Sequence, residues 1–205
     1  MVTRAIYWVA LTAVLNCSFA EAVEPDYGAW RKADPAGNWT REAESAVAGV
    51  GLPAMQPSDV REFCPNYDNA NEIERTRFWA GLLSIMAGLE SNFNPGATYE
   101  EDIYDSAGAK VVSRGLLQIS QESANSKAYA CGIVQAQDLH EPSVNLRCGA
   151  KIMAHWVSHD GRIAAHSEPP RGGARYWSIL RGWRDHLPKI AEFTSALPGC
   201  KTDGH

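Results

Sequence analysis

The sequence predicts a single, mainly α-helical domain, and three observations carry that expectation. Phe78, Leu82, Ile85, Met86 and Leu89 recur at three- and four-residue steps, a helical rather than a strand period. Trp79 and Leu83 widen the stripe, so this helix is expected to be buried. Val144, Cys148, Ile152 and Trp156 repeat the pattern at four-residue steps beside Met153 and Val157, predicting a second core helix over about 143–158. Between the two lies a stop: Asn94-Pro95-Gly96 cannot continue a helix, because proline has no N–H to donate and pushes the residue before it out of helical geometry. At 205 residues the chain can form one domain with a substantial core.

Taken in order, residues 1–22 read as a secretory signal peptide, cut after residue 20 or 22. Arg4 supplies the positive start, Ala5 to Leu15 is an apolar run broken only by Thr12, and Ser18-Phe19-Ala20 or Ala20-Glu21-Ala22 offers small residues before a cut. The run is short for a membrane span. Export, with the periplasm as destination, follows as an expectation. Residues 23–57 carry Pro, Gly and Ala with little periodicity and read as an N-terminal extension, anchored on the surface by Trp30 and Trp39, with a short helix over 41–50. The domain proper is expected over 58–200, opening with a helix near 57–63. The helix that follows starts near Asn71, with Asn69 or Asn71 as its cap. Residues 96–114 contain Glu100-Glu101-Asp102 and Asp105 and read as a small β-hairpin or irregular loop. Beyond a Pro- and Gly-bearing loop over 166–173, Tyr176, Trp177, Ile179, Leu180 and Trp183 return to helical spacing. Pro188 suits the first turn of a short last helix through Phe193, and 201–205 is a tail.

With Cys17 in the leader, Cys64, Cys131, Cys148 and Cys200 remain, an even number suited to an oxidising compartment. Four thiols allow three pairings, and the sequence alone does not choose among them. We favour Cys131 with Cys148, pinning the loop after Gly115 onto the second core helix, and Cys64 with Cys200, tying the ends of the domain together. No CxxC pair favours a metal cluster, and His155 and His159 share a helix face without a third ligand at helical spacing. No metal or other cofactor is expected. The formal net charge is -5, and losing the first 20 residues removes one Arg and no acid, giving -6. An acidic domain without basic runs is a poor binder of nucleic acid or anionic lipid through bulk electrostatics. A ligand must then be held by a shaped groove, and a monomer is expected.

The chemistry points to Glu90. It falls in the last turn of the first core helix, where the negative end of the helix dipole and apolar packing both disfavour its charged form. A carboxylic acid protonated near neutral pH is what a general acid needs when it protonates a poor leaving group such as a glycosidic oxygen. A lone helix-terminal Glu ordinarily just reaches water. The residues after it change the balance.

Glu90-Ser91, Phe93, Asn94-Pro95, then Gly115-Leu116-Leu117-Gln118-Ile119-Ser120, and then Glu141-Pro142 through Asn145 and Gly149 resemble, in order, the three blocks of the lytic transglycosylases, peptidoglycan-cleaving enzymes of lysozyme-like fold. The resemblance spans roughly residues 72–157 and implies an SLT-type or goose-type lysozyme-like domain. It implies Glu90 as catalytic acid and base, Gly115, Leu116, Leu117 and Gln118 lining the cleft opposite it, Ser91 and Asn145 near the sugar, and peptidoglycan glycan strands as substrate. Leu117 stands where the family more often has Met. The family often shows Ala-Tyr-Asn later on; here Ala174-Arg175-Tyr176-Trp177 makes Tyr176 the nearest equivalent, without the Asn.

With one acid, the substrate's own N-acetyl group and C6 hydroxyl would do the nucleophile's work, cleaving the MurNAc–GlcNAc β-1,4 bond to a 1,6-anhydro end, a lyase reaction. A second carboxylate could instead activate water and make a hydrolytic muramidase, and Asp102 and Asp105 in the acidic insertion are the candidates. Both chemistries stay open at this point, as does a non-catalytic glycan-binding protein on the same fold. A secretion-machine component, or a toxin with an immunity partner, would use the same domain.

Overall fold

A computed structural model describes residues 27–202. The leader expected over 1–22 and the end of the tail lie outside these residues. In chain order the elements are α1 (Asn38–Gly49), α2 (Val60–Phe63) and α3 (Glu72–Ser91), then a sheet of β1 (Thr98–Tyr104), β2 (Lys110–Arg114) and β3 (Ile119–Ser120). Three helices follow, α4 (Gln121–Ala124), α5 (Pro142–Asp160) and α6 (Leu187–Ser195), joined by short 3-10 turns. The protein is mainly helical with one small antiparallel sheet of order β1-β2-β3. No helix among the described residues is long and apolar enough to cross a membrane.

Helix α3 is the axis of the fold. It starts at Asn71 with a capping box: the Asn71 side chain accepts from the Glu74 N–H at 3.0 Å, and the Glu74 carboxylate accepts from the Asn71 N–H at 2.8 Å. Every residue from Phe78 to Ala87 is buried, because α1, α5 and α6 pack around it. It stops at Asn92, which adopts the left-handed conformation (φ 51°) that asparagine tolerates better than most residues. Glu90 therefore sits in the last turn, as expected, where α3 leaves the core.

The N-terminal segment needs a correction. The expected surface extension is part of the core from residue 27 onward: Trp30, Ala43, Val47 and Leu52 are fully buried, and α1 packs against both α3 and α5. The Trp30 indole donates to Thr40 Oγ1 at 2.8 Å and meets Trp39 edge to face at 6.0 Å. Much of the apolar face of α1 is built from alanine, which fits a tight helix crossing but gives a weak periodic signal in the sequence. A second correction concerns residues 176–183, which form 3-10 turns at Ser178–Leu180 and Gly182–Arg184 rather than a helix. Here tertiary backbone bonds replace helical ones: Ala165 N–H donates to the Leu180 carbonyl at 3.1 Å and Gly182 N–H to the Ala165 carbonyl at 2.8 Å.

Two disulfides close the structure, Cys64–Cys200 and Cys131–Cys148, the favoured pairing of the three. The first joins residues 136 positions apart and secures the C-terminal end to the segment before α3. The second fixes the loop after α4 to α5.

Candidate active site

Glu90 opens into a cavity of about 510 Å³ shared with Glu101, Ile103, Val111, Ser113, Gln118 and Tyr176. Residues Ser120, Ser123, Trp177, Ser178 and Arg181 complete it. The volume lies within the range of small-ligand sites. Burial pushes the Glu90 carboxyl from its ordinary 4.5 up to about 7, and the negative charge of Glu101 pushes it the same way. The direction is that expected from the sequence, with desolvation as the leading cause. Near neutral pH a large share of Glu90 carries its proton.

Glu101 is the residue the sequence did not single out. It lies on β1, accepts a hydrogen bond from Ser113 Oγ at 2.8 Å across the hairpin, and faces the Glu90 cavity. The two candidates named for this role do something else. Asp102 is the next residue along the strand, so its side chain projects to the other face; it is 98% exposed and pairs with Lys110 at 3.5 Å. Asp105 builds the hairpin turn, its carboxylate accepting from the N–H groups of Ala107 at 2.9 Å and Ala109 at 2.8 Å. An acidic run in a strand offers its carboxylates alternately to two faces, and sequence alone does not say which face meets the cleft.

Gln118 and Tyr176 reach the cavity as expected. Gln118 holds a left-handed backbone (φ 46°), fixed by its own side-chain amide donating to the Gly115 carbonyl at 2.8 Å. Such a conformation is uncommon for a residue other than glycine and costs about 1 kcal/mol or more. Burial raises the Tyr176 hydroxyl above its ordinary value, and that hydroxyl hydrogen-bonds Ser123 Oγ at 2.7 Å, so it stays protonated at the rim.

The other residues of the expected site support the cleft from behind. Ser91 is buried and donates back along its helix to the Ala87 carbonyl at 2.9 Å. Asn145 is fully buried: its amide donates to the carbonyls of Arg114 at 3.0 Å and Leu139 at 2.8 Å, and its oxygen accepts from the Leu117 N–H at 2.9 Å. Leu116 and Leu117 are core residues, and the Leu117 carbonyl accepts from the Trp177 indole at 2.9 Å. Gly115 does permit a close approach, but to protein: with φ 75°, a Cβ there would lie 2.1 Å from the Leu139 carbonyl and 2.3 Å from the Asn145 amide. Gly149 on α5 is required in the same way, because a Cβ would meet Leu117 at 2.2 Å. Asn145 and Gly149 thus seat the 115–118 turn on α5 and aim Gln118 into the cavity. Among the described residues no group of three or more His, Cys, Asp or Glu side chains is placed to hold a metal.

Residues 69–165 match the family model of the transglycosylase SLT domain. Solved structures agree over a longer span. A Glu-to-Gln variant of Bd0314 DslA is 41% identical, covers 87% of this chain and 100% of its own, and superposes with a TM-score of 0.79. The chain belongs to the SLT transglycosylase family. A second Glu-to-Gln variant of DslA (43% identical, 84% of this chain, 93% of its own, TM-score 0.75) and its wild-type form 2 (44%, 84%, 93%, 0.74) match in the same way. None of the curated proteins matches. For an SLT domain the three sequence blocks now have distinct places: the first supplies Glu90, the second Gln118, and the third the helix on which the second is seated.

Proposed function

We propose that this SLT domain cleaves the β-1,4 bond between MurNAc and GlcNAc in peptidoglycan, with Glu90 as general acid and Glu101 as the base that activates water. The observation that carries this is the second carboxylate in the Glu90 cavity. Glycosidases that use water pair an acid kept protonated by its surroundings with a carboxylate kept ionised. Glu90 donates its proton to the leaving oxygen as the glycosidic C–O bond breaks, while Glu101 takes a proton from the water that attacks the anomeric carbon. Ser113 Oγ, donating to Glu101, holds that carboxylate in place for the task. The Gln118 amide nitrogen is spent on the Gly115 and Ala97 carbonyls, which leaves its side-chain oxygen to accept from an N-acetyl N–H or a hydroxyl, and Tyr176 flanks the bond with a neutral hydroxyl. The two Glu-to-Gln variants made in DslA lie eleven residues apart in that protein, and Glu90 and Glu101 have the same spacing here.

Family membership favours a second reading, in which Glu90 works alone as acid and then base and the sugar's own groups displace the bond, leaving a 1,6-anhydro end. Substitution of Glu101 separates the two. If water is activated by Glu101, Glu101→Gln abolishes wall digestion; if the sugar reacts with itself, the variant keeps most of its rate. In either case export through the N-terminal leader would deliver the enzyme to the wall in the periplasm. A fractionation assay of the tagged full chain checks that, and retention in the cytoplasm would contradict it.

A further inference from the structure

The hairpin has a second face. Ser113 on β2 points with Glu101 into the Glu90 cavity, while alternation sends Lys110, Val112 and Arg114 to the opposite side. There they line a separate cavity of about 740 Å³, with α4 and residues 125–127 as its other wall. Val111 and Ser120 border both cavities. Strand β3 ends at Ser120, so residues 110–112 of β2 have no strand beside them on that edge, and the two cavities adjoin there.

The groups in this second cavity are unevenly committed. Its acids are engaged with backbone: Asp105 accepts from Ala107 and Ala109, and Glu122 accepts from the Ser106 N–H at 3.1 Å. Of its cations, Lys110 pairs with Glu100 at 3.3 Å, and Arg114 gives one nitrogen to the Val112 carbonyl at 2.7 Å. The ammonium of Lys127 has no partner among the described residues.

We propose that this cavity is a second substrate subsite, which takes a carboxylate of the peptide stem carried by the glycan strand. The inference rests on the strand lying in the Glu90 cavity. The sugar ring hydroxyls and N-acetyl groups are neutral, whereas the peptide linked to the lactyl group of MurNAc carries the free carboxylates. Lys127 and the outward part of the Arg114 guanidinium supply charge to such a group. The hairpin then separates the two halves of one substrate, sugar on the Glu101 face and peptide on the Lys110 face.

The test compares intact sacculi with glycan strands stripped of peptide by an amidase, using wild type and Lys127→Glu. We expect the ratio of kcat/KM for peptide-bearing over stripped strands to fall about tenfold in the variant, the equivalent of about 1.4 kcal/mol. An unchanged ratio overturns the subsite. A second arm needs no cleavage: free stem peptide, titrated into isotope-labelled wild type, should shift the amide signals of residues 125–127 saturably, and Lys127→Glu should abolish the shift. Shifts in a protein that digests no wall would overturn the proposed reaction but keep the peptide site. Digestion without shifts would do the reverse.

Discussion

Glu90 keeps its proton because the apolar end of α3 withholds water and Glu101 adds a like charge. The cost of that arrangement depends on pH, with a sign that follows from linkage. Between the ordinary value of 4.5 and the folded value of about 7, the native state holds a proton that the unfolded chain has released. Stability from this group is therefore fully present below 4.5 and is lost as pH rises through 7, by about 3 kcal/mol in all. Glu90→Gln carries no such penalty. Urea unfolding should show the variant gaining up to about 3 kcal/mol on wild type between pH 4 and pH 8; a difference independent of pH would mean that the carboxyl is solvated. Glu101→Gln removes the like charge, so the Glu90 carboxyl should titrate at lower pH in that variant. Carbon-detected NMR reads this directly, and an unmoved midpoint would show that the two side chains do not interact.

At the scale of elements, the turn over 115–118 is set by α5 rather than by its own sequence. Asn145→Ala would strand the Leu117 N–H and the Arg114 and Leu139 carbonyls in the core. We expect a loss of about 3 kcal/mol, from thermal or urea unfolding, and a fall in kcat as Gln118 loses its seat. A variant with unchanged kcat would show that Gln118 is held by other means. The long helices were legible because their apolar stripes are large and α3 is bracketed in the sequence, by Asn69 or Asn71 before it and Asn94-Pro95 after it; the structure selects Asn71, in a capping box with Glu74. What could not be read was which way side chains face where the period is short. Glu101 and Asp102 differ by one position in a strand, which is the whole difference between the cavity and solvent. Ser91 and Asn145 belong to motifs that accompany the site, yet Ser91 bonds back within α3 and Asn145 ties the 115–118 turn to α5.

Over the whole molecule, the Cys64–Cys200 bond joins the segment before α3 to the C-terminal end across 136 positions. Closing so long a loop restricts the unfolded chain, and the chain-entropy relation gives about 5 kcal/mol. A Cys64→Ala, Cys200→Ala double variant should lose several kcal/mol of that in urea, more than the loss on removing the Cys131–Cys148 bond, which spans 17 positions. Equal losses would assign the stabilisation to local packing. The N-terminal segment shows at this scale why composition misled: Trp30 and the alanine face of α1 complete a core that α3 and α5 leave open. The same frame fixes the two carboxylates relative to each other, one from a buried helix and one from a hairpin, and the direct test is product analysis. Purified sacculi digested with wild type, Glu90→Gln and Glu101→Gln, and read by mass, should yield hydrated reducing ends from wild type and no products from either variant. Anhydro ends from wild type, with Glu101→Gln still active, would contradict hydrolysis assisted by a second carboxylate.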